Sequence, residues 1–395
     1  RGQEPALSQP GAPEMTCWRS AGVASLPPSK DSPFDREVLE AYDQAATKSQ
    51  PGTGSPPEQK YRRRRIEGQF GGFLQFMGDQ LTSEKLGVHL SQNVVEAVDP
   101  EALNFMKAEG WPKLTLIDVD VVGQESPVPV TVLAHGVPLA RGHVVLVPHC
   151  EQRLPQVLTE DLLLCGLSLL AQSTRHDFRL LFDSLAGSET LNHFHFHGVY
   201  VDQFSLPQSK FPAEHVERFF VAGNLSEGNV AVESLAEGRW WAKCFVVSAG
   251  CKEGSNDSDP KGDIEAIASV AMKLVAFLQE RSIPHNLLLA PPQSVRMARR
   301  EACVPGGEAD IDPRGVLTPQ VYIFPRRPPE FMSKLAQGAG CFAGSFDFAG
   351  LARVVHEQAY EIITEDHMKA LYGRELGPEI NAFDDLLCKA AWLVN

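Results

Sequence analysis

The residues best equipped for chemistry stand in one short run, LNHFHFHGVY, from Leu191 to Tyr200. His193, His195 and His197 alternate there with Phe194, Phe196 and Gly198. On an extended strand residues i and i+2 share a face, about 6.6–6.8 Å apart. The three imidazoles are therefore expected on one face. Phe194, Phe196 and Val199 are expected on the other, against a helix or core. Three readings compete. The histidines could decorate an exposed strand. They could hold a metal, since two histidines at i and i+2 can both ligate zinc at about 2.0–2.1 Å. The remaining ligands would then come from His143, His149 or Asp183. Or one imidazole could attack phosphorus and carry it as a phosphoramidate, splitting one displacement into two. That chemistry needs a partner on the second ring nitrogen to fix the tautomer. It needs donors for charge growing on the phosphoryl oxygens, and a backbone-rich loop to hold a nucleotide. The middle residue, His195, is the natural nucleophile, with His193 and His197 as orienters and donors. The preceding DSLAGSETLN offers Ser184, Gly187 and Ser188.

The elements that must position these groups follow from periodicity. GGFLQFM, KLTLIDVDVV (113–122), VPVTVLAHG and GHVVLVPH (142–149) read as strands, the last three as an antiparallel meander. TEDLLLCGLSLLAQS (159–173) reads as a helix capped by Thr159, with Leu162, Leu163, Leu167 and Leu170 in one stripe. FRLLFDSL and NHFHFHGVYVD return to strand. The second half repeats this grammar: a strand at 239–250, a helix at 262–281, then the strands PHNLLLAP and PQVYIFPRR. A diverged second copy of the first unit is expected. The tail, from FDFAG to KALY, reads as helical. The fold class is α+β with antiparallel sheets and packed helices. We expect an extended Pro/Ser/Gly-rich arm over 1–60, interrupted by a short helix near 33–46 with Ser32 as its cap. A first half over 61–230 and a second over 231–395 follow. The run of arginines at 62–65 is either a solvated basic edge or a phosphate contact.

Composition narrows the function. The chain has 395 residues, 43% of them apolar, enough for one large domain or two ordinary ones. A net charge of -14 argues against a general nucleic-acid binder or a protein adsorbed on anionic lipid. Apolar runs such as LLLCGLSLL are too short for a membrane span. Eight cysteines without a C-x-x-C pair read as reduced thiols. A cytoplasmic protein is expected. The opening Arg1 leaves a removed targeting segment, and so an organelle, open.

HFHFHGV resembles the signature of the histidine-triad nucleotidyl transferases. SPFDREVLEAY, GGFLQF, DPEALNFMK, GVPLARGHVVLVP, FRLLFDSLAGSETLNHFHFHGVYV and SIPHNLLLA occur in order. Together they resemble the GDP-hexose phosphorylases, the group that includes the GDP-D-glucose and GDP-L-galactose enzymes. The resemblance implies a histidine-triad-like fold, with two such halves expected once the diverged copy is counted, the second degenerate. It implies conversion of GDP-hexose and phosphate to GDP and hexose 1-phosphate, with a transient GMP on His195 and no metal or other cofactor. His193, His197, Asn104, Lys107, His143, Asp183, Ser184, Gly187 and Ser188 are implied as site residues, with His285, Asn286 and Arg326 as contacts from the second half. GDP-hexose and inorganic phosphate are the implied partners.

The chain departs from the family pattern. Asp183 and Ala186 stand where the family has Asn and Gly, Gly340-Cys341 replaces Gly-His, and SEKLG replaces an Arg-Arg-Pro. A carboxylate near a phosphate repels it unless neutralised. Two other functions therefore stay open: a non-catalytic nucleotide-binding or scaffold protein on the same fold, and a zinc-dependent hydrolase.

Overall fold

The structure is a computed structural model. It describes residues 31–48, 61–78, 91, 93–107, 111–223, 230–236, 238–249, 260–298, 311–316, 318–378 and 380–394. Most of the expected N-terminal arm, and SEKLG, lie outside the described residues. Asp31–Asn395 form one compact unit.

In chain order, helix α1 (Pro33–Lys48) precedes strands β1 (Arg62–Arg65), β2 (Phe73–Phe76), β3 (Lys113–Val119), β4 (Val128–Ala134) and β5 (Val144–Pro148). Helix α2 (Glu160–Gln172), β6 (Phe178–Asp183) and β7 (Phe196–Tyr200) follow. Next come β8 (Arg218–Gly223), β9 (Val230–Leu235), β10 (Phe245–Ala249) and helix α3 (Pro260–Glu280). Strands β11 (His285–Ala290), β12 (Gln293–Ala298), β13 (Ile311–Val316) and β14 (Gln320–Pro325) complete the large sheet. The chain ends with a short helix α4 (Ser345–Ala349), β15 (Leu351–Val354) and α5 (Ile380–Val394), among shorter helical turns.

The large sheet has twelve strands in the order β13-β12-β8-β9-β10-β14-β11-β6-β7-β5-β4-β3. Its centre reads the same from either side. One row of cross-strand partners runs Leu133, Val145, His197, Leu181, then Leu288, Tyr322, Val246, Glu233. It is symmetric about the β6–β11 junction. Each side holds three strands, a helix and two strands, to which the second adds the pair β12–β13 at its edge, so the repeated grammar of the sequence is a repeated topology. The second set begins with β8 at Arg218, and β8 and β9 form an antiparallel pair.

Four helices cover one face of this sheet. Thr159 caps α2 by accepting from the Leu162 amide. Leu162, Leu163, Leu167 and Leu170 are buried beneath it. In α3, Ile264, Ile267, Ala271, Leu274 and Leu278 repeat at helical spacing and are buried in the same core, as are Phe383, Leu386 and Ala390 of α5. Ser32 and Asp35 cap α1 reciprocally, the Asp35 amide donating to Ser32 Oγ and the Ser32 amide to the Asp35 carboxylate. Asp35 also accepts from Ser173 Oγ, the Thr174 amide and the Tyr200 hydroxyl, which docks α1 on α2 and β7.

The other face packs against a small sheet, β1-β2-β15, in which β15 runs parallel to β2. A helical tail was expected here; Leu351–Val354 is instead a strand, all but Arg353 buried, because alternate apolar residues fit beside β2. Three of the four arginines of β1 are engaged within the protein, while Arg65 is exposed. Arg62 pairs with Glu357 at 2.6 Å, and Arg64 donates to the carbonyls of Tyr360 and Ile363, so these two tie the C-terminal segment to the small sheet. Arg63 donates to Gln75 and the Leu139 carbonyl.

Candidate active site

The histidines lie at the start of β7, on the face toward β15. Phe194 and Phe196 point to the helical side and are buried there. Val199 was expected with them but lies in the opposite core, since odd positions share the histidine face. His193 and His195 precede the strand. The Gln156 side chain acts there as a neighbouring strand would. It accepts from the His195 amide at 2.9 Å and donates to the carbonyls of His195 and Asp183.

Hydrogen bonds fix the ring tautomers. The His193 carbonyl can only accept, so His195 Nδ1, at 2.8 Å, carries a proton and directs it there. The reactive lone pair of a neutral His195 is then on Nε2. His143 Nδ1 accepts from the Leu139 amide at 3.1 Å, so a neutral His143 is protonated on Nε2. That proton is donated to His197 Nδ1 at 3.3 Å. His197 is left with its own proton on Nε2, facing the same space as His195 Nε2. Burial holds His143 and His135 neutral, well below the ordinary imidazole range. Burial likewise brings His193 down to about 4, helped by the adjacent charge of His195.

Phe105 closes the pocket edge-on, 5.2 Å from the His193 ring and 5.0 Å from that of His195, and its amide donates to His193 Nδ1. Asn104 shapes that turn by accepting from the Met106 amide. Lys107, expected as a nucleotide contact, spends its ammonium on the Pro100 carbonyl at 2.8 Å and on Glu101.

Sequence reasoning missed Glu189. Its Oε2 lies 3.2 Å from His195 Nε2 and 3.9 Å from His197 Nε2. Its Oε1 accepts from the amides of Thr190 and Leu191 at 2.7 and 2.9 Å. Burial alone would raise the Glu189 pKa and lower that of His195. Their mutual attraction wins, so Glu189 falls well below the usual carboxylate range and His195 rises. His135 was also missed. It stacks on His143 with centroids 4.1 Å apart.

Beside the triad is a second polar cluster. Asp183 accepts from the Ser345 amide at 2.7 Å and from Asn286 Nδ2. Arg326 donates to Asn286 Oδ1 and the Ala343 carbonyl. Arg353 pairs with Asp347. A side chain at Gly344 would come within 2.8 Å of Arg353 Nη2, 3.1 Å of Asp183 Oδ2 and 3.2 Å of Ser188 Oγ, so these groups converge on the glycine. Asp183 thus spends its carboxylate on internal donors, which explains how it stands in place of asparagine. Ser184 holds the loop by accepting from the His285 amide. Gly187 must lack a side chain, because a Cβ there would lie 2.8 Å from the Ser184 carbonyl oxygen. His285, expected to reach the site, stacks on Phe182 on the helical side of the sheet, away from the triad. Burial brings it down to about 4.

Among the described residues two donor groups are close enough to weigh for a metal: His135, His143 and His197, and Glu189, His195 and His197. His149 and Asp183 belong to neither. The rings of His135 and His143 are 10° from parallel, and in-plane lone pairs of stacked rings do not converge on one ion. The second group could hold a cation, but only over His195 Nε2.

Alternating histidines lie on an antiparallel sheet, with a helix between the meander and the pair β6–β7, as the resemblance to the histidine-triad transferases implied. Residues 34–199 match the family model described as GDPGP1-like, N-terminal domain. The chain is similar to proteins described as GDP-D-glucose and GDP-L-galactose phosphorylases. It is 28% identical over 284 residues to GDP-D-glucose phosphorylase 1 of Macaca fascicularis, covering 70% of this chain and 66% of the relative, just under two thirds of its length. It is 28% identical over 153 residues to GDP-L-galactose phosphorylase 2 of Arabidopsis thaliana, covering 39% and 31%. The crystal structure of yeast Ap4A phosphorylase Apa2 aligns over 88% of this chain and 96% of that one, with 12% identity and a TM-score of 0.46.

Proposed function

We propose that the chain is a GDP-hexose phosphorylase acting through a GMP-histidine intermediate. One observation carries the reading: the hydrogen bond from Nδ1 to the His193 carbonyl leaves His195 Nε2 as its nucleophilic atom. In the first step Nε2 forms a bond to the α-phosphorus. The bond from phosphorus to the bridging oxygen breaks, and its electron pair leaves with hexose 1-phosphate. His197 Nε2–H faces the same space and stabilises charge on a phosphoryl oxygen. In the second step an oxygen of inorganic phosphate attacks the phosphorus, the P–N bond breaks, and GDP departs with His195 restored. No step requires a metal. Among the described residues no helix is long and apolar enough to cross a membrane.

Incubation with GDP-glucose radiolabelled in the guanosine moiety, without phosphate, tests this. Wild type is expected to label covalently and to release the label as GDP when phosphate is added. His195→Ala should not label and should lose roughly 10³-fold or more of turnover. Equal labelling of the variant would refute the assignment. The non-catalytic reading is favoured by one specific observation, the carboxylate already seated on His195. It predicts tight GDP-sugar binding without labelling in the wild type.

A further inference from the structure

Glu189 takes up the position that the proposed chemistry requires to be vacant. Its carboxylate accepts from the Thr190 and Leu191 amides on one oxygen, and the other oxygen lies 3.2 Å from His195 Nε2 and 3.9 Å from His197 Nε2. A phosphoryl group would bring anionic oxygens to the same amides and imidazoles. Phosphorus must approach an attacking nitrogen to about 3–3.5 Å. Oε2 already stands 3.2 Å from that nitrogen, so the carboxylate and the phosphoryl group cannot both be there. Two negative charges at that distance would also repel. The carboxylate has a route out: its side chain is 12% exposed and the next residue, Thr190, lies at the surface.

We propose that Glu189 is an internal competitor for the nucleotidyl phosphoryl position, and that its side chain must swing away before His195 can attack. The proposal rests on the reading of His195 as nucleophile and adds a residue that sets how tightly a phosphoryl substrate is taken. It explains how an intact triad can coexist with a resting state in which the nucleophile is covered. Glu189 acts on the reaction through the space and donors it withholds.

The full chain is compared with Glu189→Gln and Glu189→Ala. Glutamine keeps the size and the acceptor for the two amides but loses the charge; alanine empties the position. Both are expected to raise kcat/KM for GDP-glucose phosphorolysis about tenfold or more, alanine at least as much as glutamine, since each weakens a charged contact that substrate must displace. The titratable or charged groups around His195 are Glu189, His193, His197, His135 and Asp183, and only the first is changed. Without the carboxylate, burial lowers His195, so the acidic limb of the kcat/KM profile should move to lower pH. A merely structural residue would not move it. GMP binding, measured by calorimetry, should tighten about tenfold as well. Unchanged or reduced kcat/KM in both variants, with an unmoved acidic limb, would overturn the proposal. If no protein turns over GDP-glucose, the phosphorylase reading fails on its own. Tighter GMP binding in the variants would then still support competition by Glu189, and unchanged binding would end both.

Discussion

The two halves of the large sheet place different chemistry at matching positions. In the first half, His197 and His195 stand on β7 and just before it, with His143 on the adjoining turn. In the second, the row puts Tyr322 opposite His197 across the β6–β11 junction, and Gln320 two residues earlier. Glu233 takes the place of Leu133. Arg218 fills that site: it donates to Gln320 Oε1 at 2.7 Å and to the Tyr322 hydroxyl, and pairs with Glu233 at 3.3 Å. Both sites are buried and polar. The first ends in imidazole nitrogens that share one open direction. The second closes on itself through a guanidinium whose partners are on the same sheet. One backbone pattern supports a reactive cluster on one side and a permanent buried ion pair on the other, and the side chains alone make the difference.

Opening the closed cluster should have the largest effect on the second half. Arg218→Met leaves the Glu233 carboxylate buried without its guanidinium, and about 3–5 kcal/mol of stability should be lost. Denaturant midpoints measure that, while kcat per folded molecule should stay as in wild type. Unaltered stability with lost turnover would instead move chemistry into the second half.

A smaller effect should separate positioning from attack within the first half. His143→Phe removes the proton donor that sets the His197 tautomer, and kcat should fall about 10–100-fold. GMP should still label His195, more slowly. His143→Gln carries an N–H that can replace Nε2, and should recover most of the loss. If glutamine is as poor as phenylalanine, the His143–His197 bond does not serve the reaction.

These tests follow from features that differ in how visible they were. Alternating histidines, the meander at β3–β5, the Thr159 cap and the α2 stripe were legible, because period and capping are local. The repeated topology was legible only as an order of elements, since His197 and Tyr322 share no residue type. Glu189 was not legible as a site residue. An acidic residue in a loop has no periodic signature, and its place over His195 depends on the turn from Asp183 to Asn192 and on two backbone amides. His135 ends β4 among apolar residues, and becomes significant only when pairing with β5 stacks it on His143. The arginines of β1 could not be assigned because their partners lie some 295 residues away, at Glu357 and Tyr360. The strand β15 was hidden for the same reason.

The least effect is expected at Ala186, which departs from the family's glycine. Its φ of 58° lies in the left-handed region. An L-residue there is strained by about 1–2 kcal/mol, which glycine would relieve. Glycine also loses about 0.5–1 kcal/mol more backbone entropy on folding. Ala186 is fully buried, and removing its methyl forfeits roughly 0.8 kcal/mol of burial. The three terms nearly cancel. Ala186→Gly should therefore shift stability by less than about 1 kcal/mol, and should leave kcat/KM within about twofold. Thermal melts and phosphorolysis assays decide it. A large gain in activity would mean that the alanine strains the loop that carries Glu189, and the barrier at the triad would then lie in the backbone as well as in the carboxylate.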